Sequence, residues 1–594
     1  MDFPKPKVEQ FFQTLVIQDF AVSPDESQLT YSTNINGAFN LWALDLPHTY
    51  PYPLTTINQG SHGIQYDKNG EFLVVGFDND GDENGQLYAM APAGEPLKPL
   101  RVKEGERHML GELTKDGKQL YYTTTKENPT YLNINRYDIE KDEEDTVFSG
   151  KDAGTFFYKL SPEETTFTFV KHFANTYVLG YVYQDGQPVR LTPETEEQHT
   201  VSDIVYTSDT DIYFLTNYDA DRSYLAHFSL TDHTFSNVLE LERGSAEGLK
   251  YDKSNDLLYI IATEGVVDVL YSYDLKANKL QEVQTPLDVL EKLVVAESGT
   301  LYLLGRGATL PFNIYQKKSG EGWKQLTNHG VPGVNREEMV EPEVITYPSY
   351  DDLEIEALYF KAKPEVDNGH LILWPHGGPQ ASERKMFRSL FQFLVYQGYS
   401  ILTPNFRGSS DYGLSFMKMV EGDWGYGPRW DNIKALDYFI ENGYVDRDKI
   451  LLMGGSYGGY MALLLHGRHA DYFKAVVDIF GVSNLFSFVK SVPDHWKPIM
   501  QQWVGDPEAD YDRFVEDSPI TYLDGMTKPM LVIQGANDPR VVKEESDQIV
   551  EALKEKGTDV EYLVLDDEGH GFSKKQNEIE VYKRVLNFFD RFID

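Results

Sequence analysis

Up to about residue 335, short runs of alternating apolar and polar positions are typical of β-strands separated by polar turns. In each unit, a turn such as Ser-Pro-Asp-Glu leads into an aromatic-rich strand, and a second strand and a polar hairpin follow. Seven units occur at intervals of 43 to 48 residues, and they begin at Ser23, Tyr66, Thr114, Ser161, Thr207, Tyr251 and Ala296. This period indicates a β-propeller with one four-stranded blade per repeat. We therefore predict an all-β, seven-bladed propeller over residues 1–335.

Beyond about residue 340 the pattern changes to longer apolar runs separated by amphipathic segments. Runs such as KILLMGGS and PMLVIQG alternate with helical patterns such as VKEESDQIVEALKEKG. This alternation predicts an α/β domain over residues 336–594 that contains a doubly wound, mostly parallel sheet. Ligands of such sheets bind beyond the carboxyl ends of the strands, so candidate catalytic residues are expected there.

One serine lies where a predicted strand meets a predicted helix. The segment LLMGGSYGGYMALLLHG contains the motif Gly454-Gly455-Ser456-Tyr457-Gly458. Small residues on both sides of a serine allow the tight strand-to-helix turn that exposes a nucleophilic hydroxyl. A glycine-rich packing turn with an incidental serine is the alternative. The position of the motif favours a catalytic nucleophile.

Two further residues follow later strands of the same predicted sheet. Asp538 follows the strand in LVIQGANDPRVV, and His570 follows the strand in LVLDDEGHGF. Each residue alone is typical of an ordinary turn. Together with Ser456 they occur in the order Ser, Asp, His, which is the order of the α/β-hydrolase fold. We predict that His570 is the general base and acid and that Asp538 orients it.

Three acids directly before this histidine compete for the orienting role. They are Asp566, Asp567 and Glu568. Their position in the loop favours solvated charges, although the sequence does not exclude any of them.

The reaction also needs two backbone donors for the developing oxyanion. We predict the amides of Tyr457, which follows the nucleophile, and of Gly378 in the turn HGGP (376–379). Glycine at this turn lets the backbone approach the site closely. His376 is interpreted as a residue that shapes this loop.

An aromatic-rich insert over residues 480–503 interrupts the alternation of strands and helices. Its candidates for an apolar substrate pocket are Phe480, Leu485, Phe488 and Trp496. Ordinary core packing is an equal alternative for each of them.

Composition narrows the classes of function. At 594 residues the chain is long enough for two domains. With 54 basic and 94 acidic residues the net charge is −40, which argues against nucleic acid and anionic membranes as partners. There is no cysteine, and we find no signal peptide, membrane-spanning run, zinc-ligand spacing or nucleotide motif. We therefore expect a cytoplasmic enzyme without metal or cofactor, and we interpret the acidic run at residues 78–83 as a solvated hairpin.

The whole chain resembles the prolyl oligopeptidase family, and its acylaminoacyl-peptidase-like branch in particular. The matching segments are HGGP (376–379), NFRGSSDYG (405–413), GDWG (422–425), GGSYGGYM (454–461), SPITY (518–522), GANDPRV (535–541) and EGHGF (568–572). The resemblance implies a serine peptidase that acts on short peptides, with Ser456, Asp538 and His570 as its triad.

We therefore expect an oligopeptidase that works through an acyl-enzyme, with a propeller that limits the size of its peptide substrates. A carboxylesterase on the same fold is one alternative, and a non-catalytic propeller scaffold is another. The sequence leaves open which residue precedes the cleaved bond, which end of a peptide is preferred, and whether the protein forms a homo-oligomer.

Overall fold

The computed structural model describes residues 5–593. Between residues 17 and 325 it contains seven four-stranded sheets, each built from consecutive strands. Blade 1 contains β1 (Ile17–Val22), β2 (Gln28–Thr33), β3 (Asn40–Asp45) and β4 (Pro51–Pro53), and blade 2 contains β5 (Ser61–Tyr66), β6 (Leu73–Phe77), β7 (Gln86–Ala91) and β8 (Gly94–Arg101). Blade 3 contains β9 (His108–Leu113), β10 (Gln119–Thr124), β11 (Asn133–Asp138) and β12 (Glu143–Ser149), and blade 4 contains β13 (Gly154–Leu160), β14 (Phe167–Ala174), β15 (Tyr177–Gln184) and β16 (Gln187–Arg190). Blade 5 contains β17 (Val201–Tyr206), β18 (Asp211–Thr216), β19 (Tyr224–Ser229) and β20 (Thr234–Leu239), and blade 6 contains β21 (Ser245–Asp252), β22 (Leu257–Glu264), β23 (Val267–Asp274) and β24 (Lys279–Val283). Blade 7 contains β25 (Val289–Val295), β26 (Leu301–Gly307), β27 (Leu310–Lys317) and β28 (Lys324–Gln325). The predicted seven-bladed propeller is confirmed.

The ring closes through side-chain packing between its first and last blades. Phe20 and Tyr31 of blade 1 belong to the same buried cluster as Tyr302 and Leu304 of blade 7. No strand is exchanged between these blades in the described residues, because every propeller sheet uses four consecutive strands. Burial of apolar area therefore joins the ends of the ring.

The second domain is built on one eight-stranded sheet. Its strands are β29 (Glu343–Pro348), β30 (Glu354–Phe360), β31 (Leu371–Leu373), β32 (Ser400–Pro404), β33 (Ile450–Gly455), β34 (Val476–Ile479), β35 (Met530–Gly535) and β36 (Val560–Leu565). They are arranged in the order β29-β30-β32-β31-β33-β34-β35-β36. The pairs β29–β30 and β30–β32 are antiparallel, and the other five are parallel. The predicted mostly parallel sheet is confirmed.

Helices cover both faces of this sheet. The α-helices within residues 5–593 are α1 (Val8–Phe12), α2 (Ser389–Tyr396), α3 (Leu414–Lys418), α4 (Gly427–Glu441), α5 (Tyr457–His469), α6 (Leu485–Ser491), α7 (Lys497–Trp503), α8 (Tyr511–Asp517), α9 (Lys543–Glu555) and α10 (Lys575–Phe589). Alternate residues of β33 enter opposite cores: Ile450 and Leu452 pack with α4, α5 and α9, whereas Leu451 and Met453 pack with α2 and α10. Because both faces are buried, the strand is apolar at consecutive positions.

Helix α1 is an exception to the expectation that residues 1–335 form only propeller. Its Phe12 stacks on Tyr582 of α10 with ring centroids 4.6 Å apart, and Phe11 lies 5.7 Å from Phe393 of α2. These apolar residues therefore bury their surface in the α/β core before the chain enters blade 1. The boundary between residues 335 and 336 stays a prediction.

Candidate active site

Ser456 lies in a tight turn between β33 and α5. Its backbone has φ 58° and ψ −123°, a strained conformation for a residue with a side chain. A Cβ atom at Gly454 would lie 2.2 Å from the carbonyl oxygen of Gly458. A Cβ atom at Gly458 would lie 2.1 Å from the carbonyl oxygen of Pro375. Only glycine fits at these two positions, so the close packing of the turn explains the sequence motif.

The structure brings the three predicted triad residues into one hydrogen-bonded row. His570 Nε2 lies 2.8 Å from Ser456 Oγ, and His570 Nδ1 lies 2.6 Å from Asp538 Oδ2. The three residues follow β33, β35 and β36, at the carboxyl edge of the sheet. The side chain of Asp538 is fully buried, and that of His570 is 7% exposed. This geometry suits proton transfer from the serine hydroxyl to the imidazole.

The carboxylate of Asp538 is fixed by its own loop. Its Oδ1 accepts hydrogen bonds from the backbone amides of Arg540 at 2.9 Å and Val541 at 3.0 Å. The other oxygen is thereby left to face His570. Both ring nitrogens of His570 already have hydrogen-bond partners, Asp538 and Ser456, so the neighbouring acids do not orient the ring.

The neighbouring acids instead stabilise the histidine loop. Glu568 is buried and accepts hydrogen bonds from the backbone amides of Ser573 and Lys574. Asp567 forms an ion pair with Lys574 at 2.7 Å, and its hydrogen bond with this lysine lowers the pKa of its carboxyl group. Thus Glu568 is not a solvated charge, because it holds the turn that follows His570.

The glycine-rich turn after β31 lies against the nucleophile. A Cβ atom at Gly377 would lie 3.5 Å from Cβ of Ser456. His376 Nδ1 donates to the carbonyl oxygen of Gly377 at 2.8 Å, and its ring stacks on Phe406 at 4.2 Å. Burial lowers the pKa of His376, which favours the neutral ring. His376 therefore shapes this turn. The oxyanion-hole roles of the Tyr457 and Gly378 amides remain predictions.

The four candidate pocket residues lie at different depths. Phe480, with φ 44°, places its ring centroid 4.6 Å from that of His570. Leu485 and Phe488 are each only 2% exposed. Trp496 is partly buried, and the guanidinium carbon of Arg540 lies 5.7 Å from its ring centroid. Phe480 is thus the candidate in direct contact with the triad. The pocket role of all four remains a prediction.

Sequence reasoning missed a buried acid beneath the nucleophile turn. Asp478 lies within the apolar strand β34, whose sequence is VVDI, and has no exposed surface. Its Oδ1 accepts a hydrogen bond from the amide of Gly481 at 2.9 Å, whereas its Oδ2 has no partner among residues 5–593. Burial raises the pKa of Asp478 to about 7. A single acid within an apolar strand was the available signal.

We expect the Asp478→Asn variant to have a flatter dependence of stability on pH. In the unfolded chain an aspartate loses its proton near pH 4, but the folded protein keeps this proton until about pH 7. The folded state therefore binds more protons in this window, and its stability falls as the pH rises. Asparagine has no carboxyl proton to lose in this pH range. The variant should therefore exceed the unaltered protein in free energy of unfolding at pH 8, by at most about 4 kcal/mol. Thermal unfolding of both proteins at pH 5 and pH 8 tests this, and parallel pH dependences would contradict it.

Comparisons with known proteins agree with this fold. A model of the prolyl oligopeptidase family matches residues 385–594. Over 98% of its length the chain is 25% identical to dipeptidyl peptidase family member 6 of Caenorhabditis elegans, of which it covers 86%. Over 40% of its length it is 33% identical to an acylamino-acid-releasing enzyme of Arabidopsis thaliana, of which it covers 32%. A puromycin-hydrolyzing peptidase of Mycobacterium tuberculosis matches 99% of this chain and 96% of its own, with a TM-score of 0.87 and 18% identity.

The fold and the site geometry define a serine hydrolase that carries a seven-bladed propeller. The family match over residues 385–594 and the similarity to acylamino-acid-releasing enzymes support a serine peptidase. The solved structure, at 18% identity, shows the shared fold. Within residues 5–593, none of the helices is long and apolar enough to span a membrane, and we find no group of side chains suited to hold a metal ion.

Proposed function

We propose that the protein hydrolyses short peptides through a covalent acyl-enzyme formed on Ser456. The observation that carries this proposal is the row of hydrogen bonds from Ser456 through His570 to Asp538, at 2.8 and 2.6 Å. A serine hydroxyl is a weak nucleophile by itself, and a positioned base within hydrogen-bonding distance activates it.

The roles of the residues follow from this geometry. Ser456 Oγ attacks the scissile carbonyl carbon while its proton passes to Nε2 of His570. The amides of Tyr457 and Gly378 would stabilise the negative oxygen of the tetrahedral intermediate. His570 then gives the proton to the leaving amine as the carbon–nitrogen bond breaks. A water molecule repeats the sequence on the acyl-enzyme and releases the acid, which restores the serine hydroxyl.

Asp538 supports both proton transfers without gaining a proton itself. By accepting the Nδ1–H of His570, its carboxylate leaves Nε2 free to face the serine and stabilises the charged imidazolium. The ring of Phe480 packs against the imidazole and restricts its rotation. The assembly is therefore positioned before substrate arrives.

We propose further that the propeller limits substrates to short peptides. Polar contacts join the propeller to the catalytic domain: Asn175 donates to Gln380 at 2.8 Å, and Gln198 donates to Gln502 at 3.1 Å. The low exposure of the His570 and Asp538 side chains supports an enclosed site. A folded protein would be unable to reach Ser456 without separation of the two domains.

This size limit is tested by presenting the same cleavable sequence in a free peptide and in a folded protein. We expect the enzyme to cleave it as a free peptide of up to about ten residues but not as a loop of a stable folded protein. Release of the same fragment, followed by mass spectrometry, measures both rates, and the unfolded carrier protein serves as the control for length. Equal rates on the free peptide and the folded carrier would refute the size limit.

A carboxylesterase is the second candidate, because the same constellation attacks esters readily. Matched acyl-amide and acyl-ester substrates separate the two, and negligible amide hydrolysis would favour the esterase. Relatives whose names state dipeptidyl or acylamino-acid release suggest a panel of peptides with free and acylated amino termini. The cytoplasmic location stays a prediction, and the preferred end of the peptide and the oligomeric state stay open.

A further inference from the structure

The loop between β6 and β7 of blade 2, residues 78–85, contacts the catalytic domain directly. Its acidic composition predicts a solvated hairpin. In the structure it contacts both loops that carry the imidazole and the carboxylate of the triad. We call it the blade-2 loop.

Its first contact is with the loop that holds His570. Gly81 has φ +79°, and a Cβ atom there would lie 2.8 Å from the backbone nitrogen of Gly569. Conversely, a Cβ atom at Gly569 would lie 2.2 Å from the carbonyl oxygen of Gly81. The two backbones therefore touch with no room for a side chain, immediately before His570. Asp80 adds an ion pair with Lys574 at 3.0 Å, on the other side of the histidine.

Its second contact is with the loop that holds Asp538. Glu83 Oε1 lies 2.7 Å from Nε of Arg540. The backbone amide of Arg540 in turn donates to Oδ1 of Asp538 at 2.9 Å. The propeller is thus connected to the catalytic carboxylate through one residue.

Hydrogen bonds within blade 2 hold the conformation of the blade-2 loop. Asp82 Oδ1 accepts hydrogen bonds from the amides of Asn79 at 3.1 Å and Asn84 at 3.0 Å. The amide of Asp80 donates to the side chain of Gln59 at 2.9 Å. These bonds fix the positions from which Gly81 and Glu83 reach the catalytic domain.

We propose that the blade-2 loop is a positioning element that holds the acid and base loops of the triad in register. Gly81 and Glu83 are its positioning residues, and they act through Gly569 and Arg540. This inference rests on the proposed catalytic function. A displacement of about 1 Å in such an assembly can lower the rate by about 100-fold.

A matched pair of glycine variants tests the contact with the base loop. Gly81→Ala adds backbone strain and a methyl group against Gly569. Gly70→Ala, at φ +70° in another turn of blade 2, adds similar strain, but its methyl group would lie 3.5 Å from Pro24 in ordinary contact. We expect Gly81→Ala to lower kcat on a short peptide by about 100-fold with little change in KM, and Gly70→Ala to retain kcat. Equal kcat values for the two folded variants would overturn the proposal.

The ion pair provides a second test that does not depend on the folding of Gly81→Ala. We expect Glu83→Arg and Arg540→Glu each to lower kcat by about 10-fold or more and the double variant to recover most of it. Asp268→Asn is the control, because Asp268 pairs with Arg384 across the domains at 2.7 Å and Arg384 lies outside the loops that carry Asp538 and His570. Failure of the double variant to recover, or an equal fall in kcat for Asp268→Asn, would overturn the proposal.

Labelling of Ser456 by a fluorophosphonate separates this inference from the proposed function. If the unaltered protein is not labelled and does not hydrolyse peptides, the proposed function fails. If it is active and Gly81→Ala and Glu83→Arg are labelled at its rate, only the positioning role fails. Slower labelling of both variants, with melting temperatures like that of Gly70→Ala, is the expected result.

Discussion

Replacing Ser456 by alanine is expected to lower peptide hydrolysis by about 10⁶-fold and to leave the fold unchanged. Alanine removes the oxygen that forms the covalent intermediate, so His570 retains no group to activate at this position. The side chain is small, and the turn around it is held by Gly454 and Gly458. Initial rates on a short peptide amide, together with a thermal unfolding curve, measure both parts of this expectation.

A second serine in the same domain provides an internal control. Ser409 Oγ lies 2.9 Å from Nε2 of His376, a distance similar to that in the proposed triad. However, Ser409 is fully buried and its hydroxyl donates to the carbonyl oxygen of Phe406. The Nδ1 of His376 faces the carbonyl oxygen of Gly377, so no carboxylate orients this ring. Peptide mapping after fluorophosphonate treatment should therefore find the label on Ser456 and not on Ser409. Label on Ser409, or unchanged activity of Ser456→Ala, would refute the assigned nucleophile.

The features predicted correctly from sequence are those written in local patterns. Each blade repeats its turn and strands within 43 to 48 residues, so the repeat is visible without knowledge of contacts between blades. The nucleophile turn needs glycine wherever backbone atoms come within about 2 Å of a Cβ position, and this requirement marks the sequence around Ser456. The catalytic roles of Ser456, Asp538 and His570 remain predictions, and their order along the chain follows from the order of the strands.

The features missed depend on contacts between distant parts of the chain. An acidic hairpin such as the blade-2 loop has the composition of a solvated turn, and only its position beside Gly569 shows its partner. Helix α1 is similar, because its phenylalanines show that it buries a face but not which domain receives it. The sequence also leaves the solvent exposure of Asp478 open, because that exposure depends on what packs over β34.

The Asp538→Asn variant is expected to lower kcat by about 10⁴-fold while the protein stays folded. The asparagine oxygen can still accept from the amides of Arg540 and Val541, so the loop keeps its support. Its amino group then faces Nδ1 of His570 and donates to it. The ring is driven to the tautomer with a proton on Nε2, which cannot accept the proton of Ser456. Steady-state kinetics and the rate of fluorophosphonate labelling should fall together.

Asp567→Asn is the matched control for this change. Asp567 lies three residues before His570 and pairs with Lys574, but the ring nitrogens of His570 are already bonded to Ser456 and Asp538. Loss of one partly exposed ion pair should change kcat by less than about fivefold. A larger fall in kcat for Asp567→Asn than for Asp538→Asn would show that Asp567, and not Asp538, orients His570. The expected order of effects follows because a carboxylate controls the tautomer only when it contacts the ring.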